Sequence, residues 1–102
     1  VDAEIVMAID ETIHQSLRLK IMAALYTHEG GEAWEFGRLK KLVEATDGNL
    51  GSHLTTLATA GYVAIEKDFV GNKPRTRISI TREGRRAFRD HVAYLRQIVD
   101  TV

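Results

Sequence analysis

The chain has no cysteine among its 102 residues. That excludes disulfides and thiolate metal sites, and it fits a reducing compartment. No apolar run approaches the roughly 18 residues that a membrane span requires, so no membrane partner is expected. The opening stretch, "VDAEIVMAIDETIH", is acidic rather than basic, so no signal peptide is expected and the expected location is cytoplasmic. The absence of an initial Met suggests a processed or trimmed start. Internal repeats, low-complexity segments and linkers are also lacking, so residues 1–102 read as a single domain. Net charge is absent too, with 14 Lys/Arg against 14 Asp/Glu. That balance argues against indiscriminate nucleic-acid binding.

The charge that is present is segregated. Ala64 to Arg89 holds eight Lys/Arg and three acids, a net +5, whereas Val1 to Gly37 holds seven acids and two bases, a net −5. A fold that keeps these segments apart has a basic face and an acidic one. Along the chain, Ile5, Ile9 and Ile13 lie four apart and predict a helix over 1–14. Ser16 is a suitable cap for a second helix, Leu17 to Thr27, which could also form one bent helix with the first. "HEGGEA" reads as a loop and "AWE" as a short strand. Phe36, Leu39, Leu42 and Val43 are in register for a short third helix. After "YVAIEKDFV" and "RTRISIT" (two alternating runs that predict a hairpin with a longer loop at "GNKP"), a terminal helix opens at Thr81-Arg82-Glu83-Gly84. Its apolar residues Phe88, Val92, Leu95, Val99 and Val102 are spaced 4-3-4-3.

The segment "TDGNLGSHLTTLATAGYV" (Thr46 to Val63) is the informative one. Leu50, Leu54 and Leu57 fix the buried face of a helix over about 48–60, Thr46 or Asp47 can cap it, and Gly61 stands at its end. The opposite face carries Asn49, Ser52, His53 and Thr56 and has no Lys or Arg. Such groups are small enough to approach base edges and polar enough to bond them. A short helix, a tight turn, this helix and then a hairpin is the plan of a helix-turn-helix with a wing. The hairpin tip, Asn72 with Lys73 and Arg75, would add the positive charge of those two bases.

On "IHQSLRLKIMAAL", "FGRLKKLVEATDGNLGSHLTTLATAGYV", "KDFVGNKPRTRISIT" and "REGRRAF", the chain resembles compact winged-helix transcriptional regulators of the MarR/ArsR-like kind. The resemblance implies a mainly α fold with a small β-hairpin, in the order α-α-(β)-α-α-β-β-α. It implies a recognition helix at about 47–60 in the major groove, a wing at about 69–76 on the backbone or in a minor groove, double-stranded DNA as partner and a homodimer formed by terminal helices at about 1–14 and 82–102. Asn49, Ser52, His53 and Thr56 would then read bases, while Lys73, Arg75, Arg77 and the neighbouring Lys40 would bind backbone. Ile5, Ile9, Phe88, Val92, Leu95 and Val99 would line the dimer interface. Gly51 stands where relatives often carry Ser. Cysteine-based metal sensing, known in part of the ArsR-like group, is impossible here.

Other functions find little support. No Gly-rich phosphate loop follows a strand, and no carboxylate pair or Ser/His/Asp set is suggested, so the chain is expected not to be an enzyme. His14, His28, His53 and His91 lack the close spacing of metal ligands, and neither metal nor cofactor is expected. His14 is expected to pack between helices, and Trp34 to fill the core. A small-molecule effector between the terminal helices is compatible with the pattern but has no polar signature of its own. The alternative from another class is a winged-helix protein-protein interaction module that does not bind DNA.

Overall fold

A computed structural model describes residues 9–28 and 32–102. Among them the order is α1 (Ser16–Thr27), β1 (Trp34–Glu35), α2 (Phe36–Val43), α3 (Asp47–Thr59), β2 (Val63–Val70), β3 (Lys73–Ile80) and α4 (Arg82–Asp100). This is the expected α+β class: four helices and an antiparallel three-stranded sheet in the order β1-β3-β2. Residues 1–8 of the expected first helix, Ile5 among them, lie outside the described residues, as do the glycines of "HEGGEA".

Where that first helix is described, it is not a helix. Residues 11–13 form a turn organised by Asp10, whose Oδ1 accepts from the backbone N–H groups of Thr12 (2.9 Å) and Ile13 (3.1 Å). An Asp side chain that satisfies nearby amides competes with the helical ladder. The isoleucine stripe therefore divides: Ile13 is fully buried in the core and Ile9 is half-buried. The cap of α1 also differs from expectation. Gln15, not Ser16, accepts from the N–H of Arg18.

The core joins Ile13, Ile21, Met22 and Leu25 to Leu39, Val43, Leu50, Leu54, Leu57, Val63, Ile78 and Phe88, with Trp34 at its edge. All three leucines of α3 are buried, as their spacing predicts. Leu42 is the exception in α2; at 55% exposed it faces out. The α2–α3 connection is tight. Glu44 turns the chain through the left-handed region (φ 56°), and Thr46 caps α3 by accepting from the N–H of Asn49. At its far end α3 stops in a Schellman arrangement. Gly61 (φ 85°) donates to the carbonyl of Ala58 and Tyr62 to that of Leu57.

The hairpin is tighter than the expected long loop. Pairing runs from Val63↔Ile80 to Val70↔Lys73, which leaves Gly71 and Asn72 as a two-residue turn with Gly71 at φ 64°. The inward face carries the pairs Val63/Ile80 and Ile65/Ile78, as period two predicts. Thr81 then caps α4 by accepting from the N–H of Gly84.

Candidate nucleic-acid interface

The α3 surface is built by simple alternation. With Leu50, Leu54 and Leu57 committed to the core, Asn49, Ser52 and Thr56 are exposed on the other side. The Asn49 amide and the Ser52 hydroxyl have no side-chain hydrogen bond among the described residues, so both can serve an external partner. The hydroxyls of Thr55 and Thr56 instead donate to the carbonyls of Gly51 (3.0 Å) and Ser52 (3.3 Å). Thr56 thus offers outward a methyl group and acceptor lone pairs.

His53 is placed differently from its three companions. It is half-buried, and its Nδ1 lies 3.1 Å from Nη1 of Arg18 on α1. A guanidinium only donates, so Nδ1 is the acceptor and a neutral ring keeps its proton on Nε2. His53 can therefore present only a donor to a partner. Arg18 also donates through Nε to the carbonyl of Thr12, which ties the N-terminal turn to α3. Sequence spacing contains no sign of this pairing, because the two residues are 35 positions apart.

The wing departs most from expectation in its charge. Arg75 makes a two-point pair with Asp68, Nε to Oδ1 at 2.9 Å and Nη2 to Oδ2 at 2.8 Å. Arg77 reaches the same Oδ2 at 3.1 Å. The hydrogen bond from Arg75 holds the Asp68 carboxyl below the usual carboxylate range, and Arg75 is itself shifted upward by that bond. These ion pairs therefore persist above the ordinary Asp value and are lost only as pH falls through the lowered one. Two cations expected on phosphate are committed to the outer face of the hairpin. Lys40 is likewise paired, with Asp47 at 2.7 Å, although both ends are solvent-accessible and such a pair is weak. Lys73, at the turn, and Lys67 are exposed with no ion-pair partner among the described residues.

Of the expected interface residues on α4, Phe88 is 8% exposed and packs its ring 5.0 Å from that of Tyr26. It belongs to the protein's own core, not to an open seam, because α1 covers that part of α4. Val92 is half-buried against the core, Leu95 is intermediate, and Val99 is 69% exposed. The stripe therefore passes from core to solvent along α4. Beside it lies a residue that the pattern did not single out for burial. His91 is fully buried, its ring between those of His14 (5.5 Å) and Tyr94 (5.9 Å). Burial, followed by the charge of His14, lowers its pKa. Nearby, the Tyr62 hydroxyl donates to Oδ2 of Asp10 at 2.7 Å. Burial, that bond and the Asp10 charge push the phenol up to about 12. Trp34 is a core residue with Arg38 stacked 4.5 Å above its ring.

Two helices joined by a short turn, the second with a bare polar face, and a hairpin projecting beside it define a winged helix-turn-helix. Residues 17–99 match the winged helix DNA-binding domain family, and the chain belongs to that family. An uncharacterized protein of Methanocaldococcus jannaschii is 39% identical over 82 residues, covering 80% of this chain and 86% of its own. The solved structure of a transcriptional regulator homologue protein from Pyrococcus horikoshii OT3 superposes with a TM-score of 0.82 at 28% identity, covering 96% of this chain and 92% of that one. Among the described residues no helix is long and apolar enough to cross a membrane.

Proposed function

We propose that the protein is a sequence-specific, cytoplasmic transcriptional regulator of the MarR/ArsR-like kind that binds double-stranded DNA as a homodimer and has no enzymatic activity. The observation that carries this is the outer face of α3, where Asn49, Ser52 and Thr56 stand exposed over a fully buried leucine row. In this reading α3 enters the major groove. Asn49 would present both a donor and an acceptor to one base, and His53 a single donor through Nε2. Two copies would read half-sites about 10 bp apart. The exposed apolar end of α4, with Ile98, Val99 and Val102, supports the second copy. A small-molecule effector would enter the cavity of about 680 Å³ between the N-terminal turn and α4, beside Asp10, Tyr62, Arg86 and His91.

One observation favours a protein-interaction module instead: α3 has no Lys or Arg, and both wing arginines are ion-paired with Asp68. Equilibrium binding to random duplex DNA at several salt concentrations, with the oligomeric state measured in parallel, separates the readings. Dimer binding whose log K falls linearly with log salt is expected. A folded protein that binds no duplex at low salt would overturn the DNA reading.

A further inference from the structure

The two faces of the hairpin have opposite chemistry. Outward lie Glu66/Arg77 and Asp68/Arg75, whose charges largely cancel, and nearest the turn Val70/Lys73. Inward, the pairs run Val63/Ile80, Ile65/Ile78, Lys67/Thr76 and Phe69/Pro74. The first two belong to the core or pack against it. Lys67 and Thr76 follow, lining a groove of about 270 Å³ with Gly51 and Thr55 of α3. Past that point nothing among the described residues covers the face. Phe69 is 71% exposed, opposite an exposed Pro74. An aromatic ring and a proline ring at the tip of a hairpin, on the face that adjoins α3, are unexplained by folding.

Building on the DNA reading above, we propose that Phe69 and Pro74 form an apolar wedge that enters the minor groove next to the major groove occupied by α3. There the wedge packs on sugars and partly unstacks a base step. Three observations select this occupant. Lys67, one ladder pair further in on the same face as the wedge, and Lys73, next to Pro74 at the turn, have no ion-pair partner among the described residues and put free positive charge beside it. Asp68 holds Arg75 and Arg77 in ion pairs across the outward face, which reduces the free positive charge the wing offers and leaves apolar surface a larger share of it. The reach also fits. Phe69 lies four residue steps beyond Ile65, about 13 Å of strand, and the aromatic side chain extends it toward the half-turn of about 17 Å between successive grooves. Apolar wedges of this type kink DNA and favour flexible pyrimidine–purine steps.

The test selects sequences from a random-window duplex pool with the wild-type protein, then compares Phe69→Ala, Phe69→Leu and Lys73→Ala on the selected duplex across salt, with 2-aminopurine at the flanking step. Phe69→Ala should bind about tenfold to a hundredfold more weakly with an unchanged salt slope. It should also lose both the 2-aminopurine fluorescence rise and the enrichment for flexible flanking steps. Phe69→Leu should retain part of each. Lys73→Ala should instead reduce the slope by about one. Wild-type binding that Phe69→Ala reproduces in affinity and fluorescence would overturn the wedge and leave the DNA reading standing. A change in self-association by Phe69→Ala without DNA would assign the face to a second copy and overturn the wedge. Wild-type protein that binds no duplex at low salt would overturn both.

Discussion

Gly84 is the residue whose role is most local. A Cβ there would sit 2.1 Å from the Tyr62 carbonyl oxygen and 3.0 Å from Cγ1 of Ile80. The start of α4 can approach the α3–β2 junction only because that atom is missing. Gly84→Ala should therefore destabilise the fold by about 1–3 kcal/mol despite its better helix propensity, read from urea unfolding. His91 makes a second prediction. Its folded pKa is depressed below 6.5, so the unfolded chain binds the proton first as pH falls. Stability should drop as pH is lowered through 6.5 toward the folded value, at a slope of up to about 1.4 kcal/mol per pH unit. His91→Gln, compared with wild type by urea titration at pH 7.5 and at acid pH, should lose that component. An identical pH profile in both proteins would contradict it.

At the scale of elements, α3 combines a good cap and a good stop with two interior weaknesses, Gly48 and Gly51. Nothing lies within 4 Å of a Cβ added at Gly51. Gly51→Ala should raise the unfolding free energy by about 1 kcal/mol, and an unchanged or lower denaturation midpoint would show that the glycine serves packing after all. The link between α1 and α3 through Arg18 and His53 is a separate matter. Arg18→Ala should free the His53 ring to adopt either tautomer. Selection on random duplexes should then show relaxed choice at one base position, with the remaining positions unchanged. Loss of choice at every position would mean that Arg18 holds α3 itself in place.

At the scale of the whole molecule, the proposed dimer rests on the outer half of α4, where Val99 is 69% exposed while Phe88, eleven residues earlier, is buried. Val99→Asp places a charge where an apolar contact would be and should shift the protein toward monomer in sedimentation equilibrium, with thermal stability of the monomer little changed. Because both half-sites are needed at once, DNA affinity should fall with it. Monomer–dimer balance unaffected by Val99→Asp would move the interface elsewhere. Three of the basic side chains expected on DNA are paired in the fold, Lys40 with Asp47 and both Arg75 and Arg77 with Asp68.

From Ser16 onward the order of elements was determined by the sequence, and so was the register of α3. A leucine row at 3.6-residue spacing, a Thr cap, a Gly stop and two alternating runs each depend on neighbours a few positions away. The exposed trio Asn49, Ser52 and Thr56 follows from that same periodicity. Tertiary structure alone decided which polar groups are free. Asp68 and Arg75 meet because the hairpin pairs them, Arg18 meets His53 because α1 packs across α3, and His91 is buried because the N-terminal turn places His14 against α4. It also made a turn around Asp10 of residues 11–13, where a helix was expected, and left Phe69 uncovered at the wing. Periodicity reports which face a side chain occupies, whereas charge pairing and exposure depend on what distant chain arrives at that face.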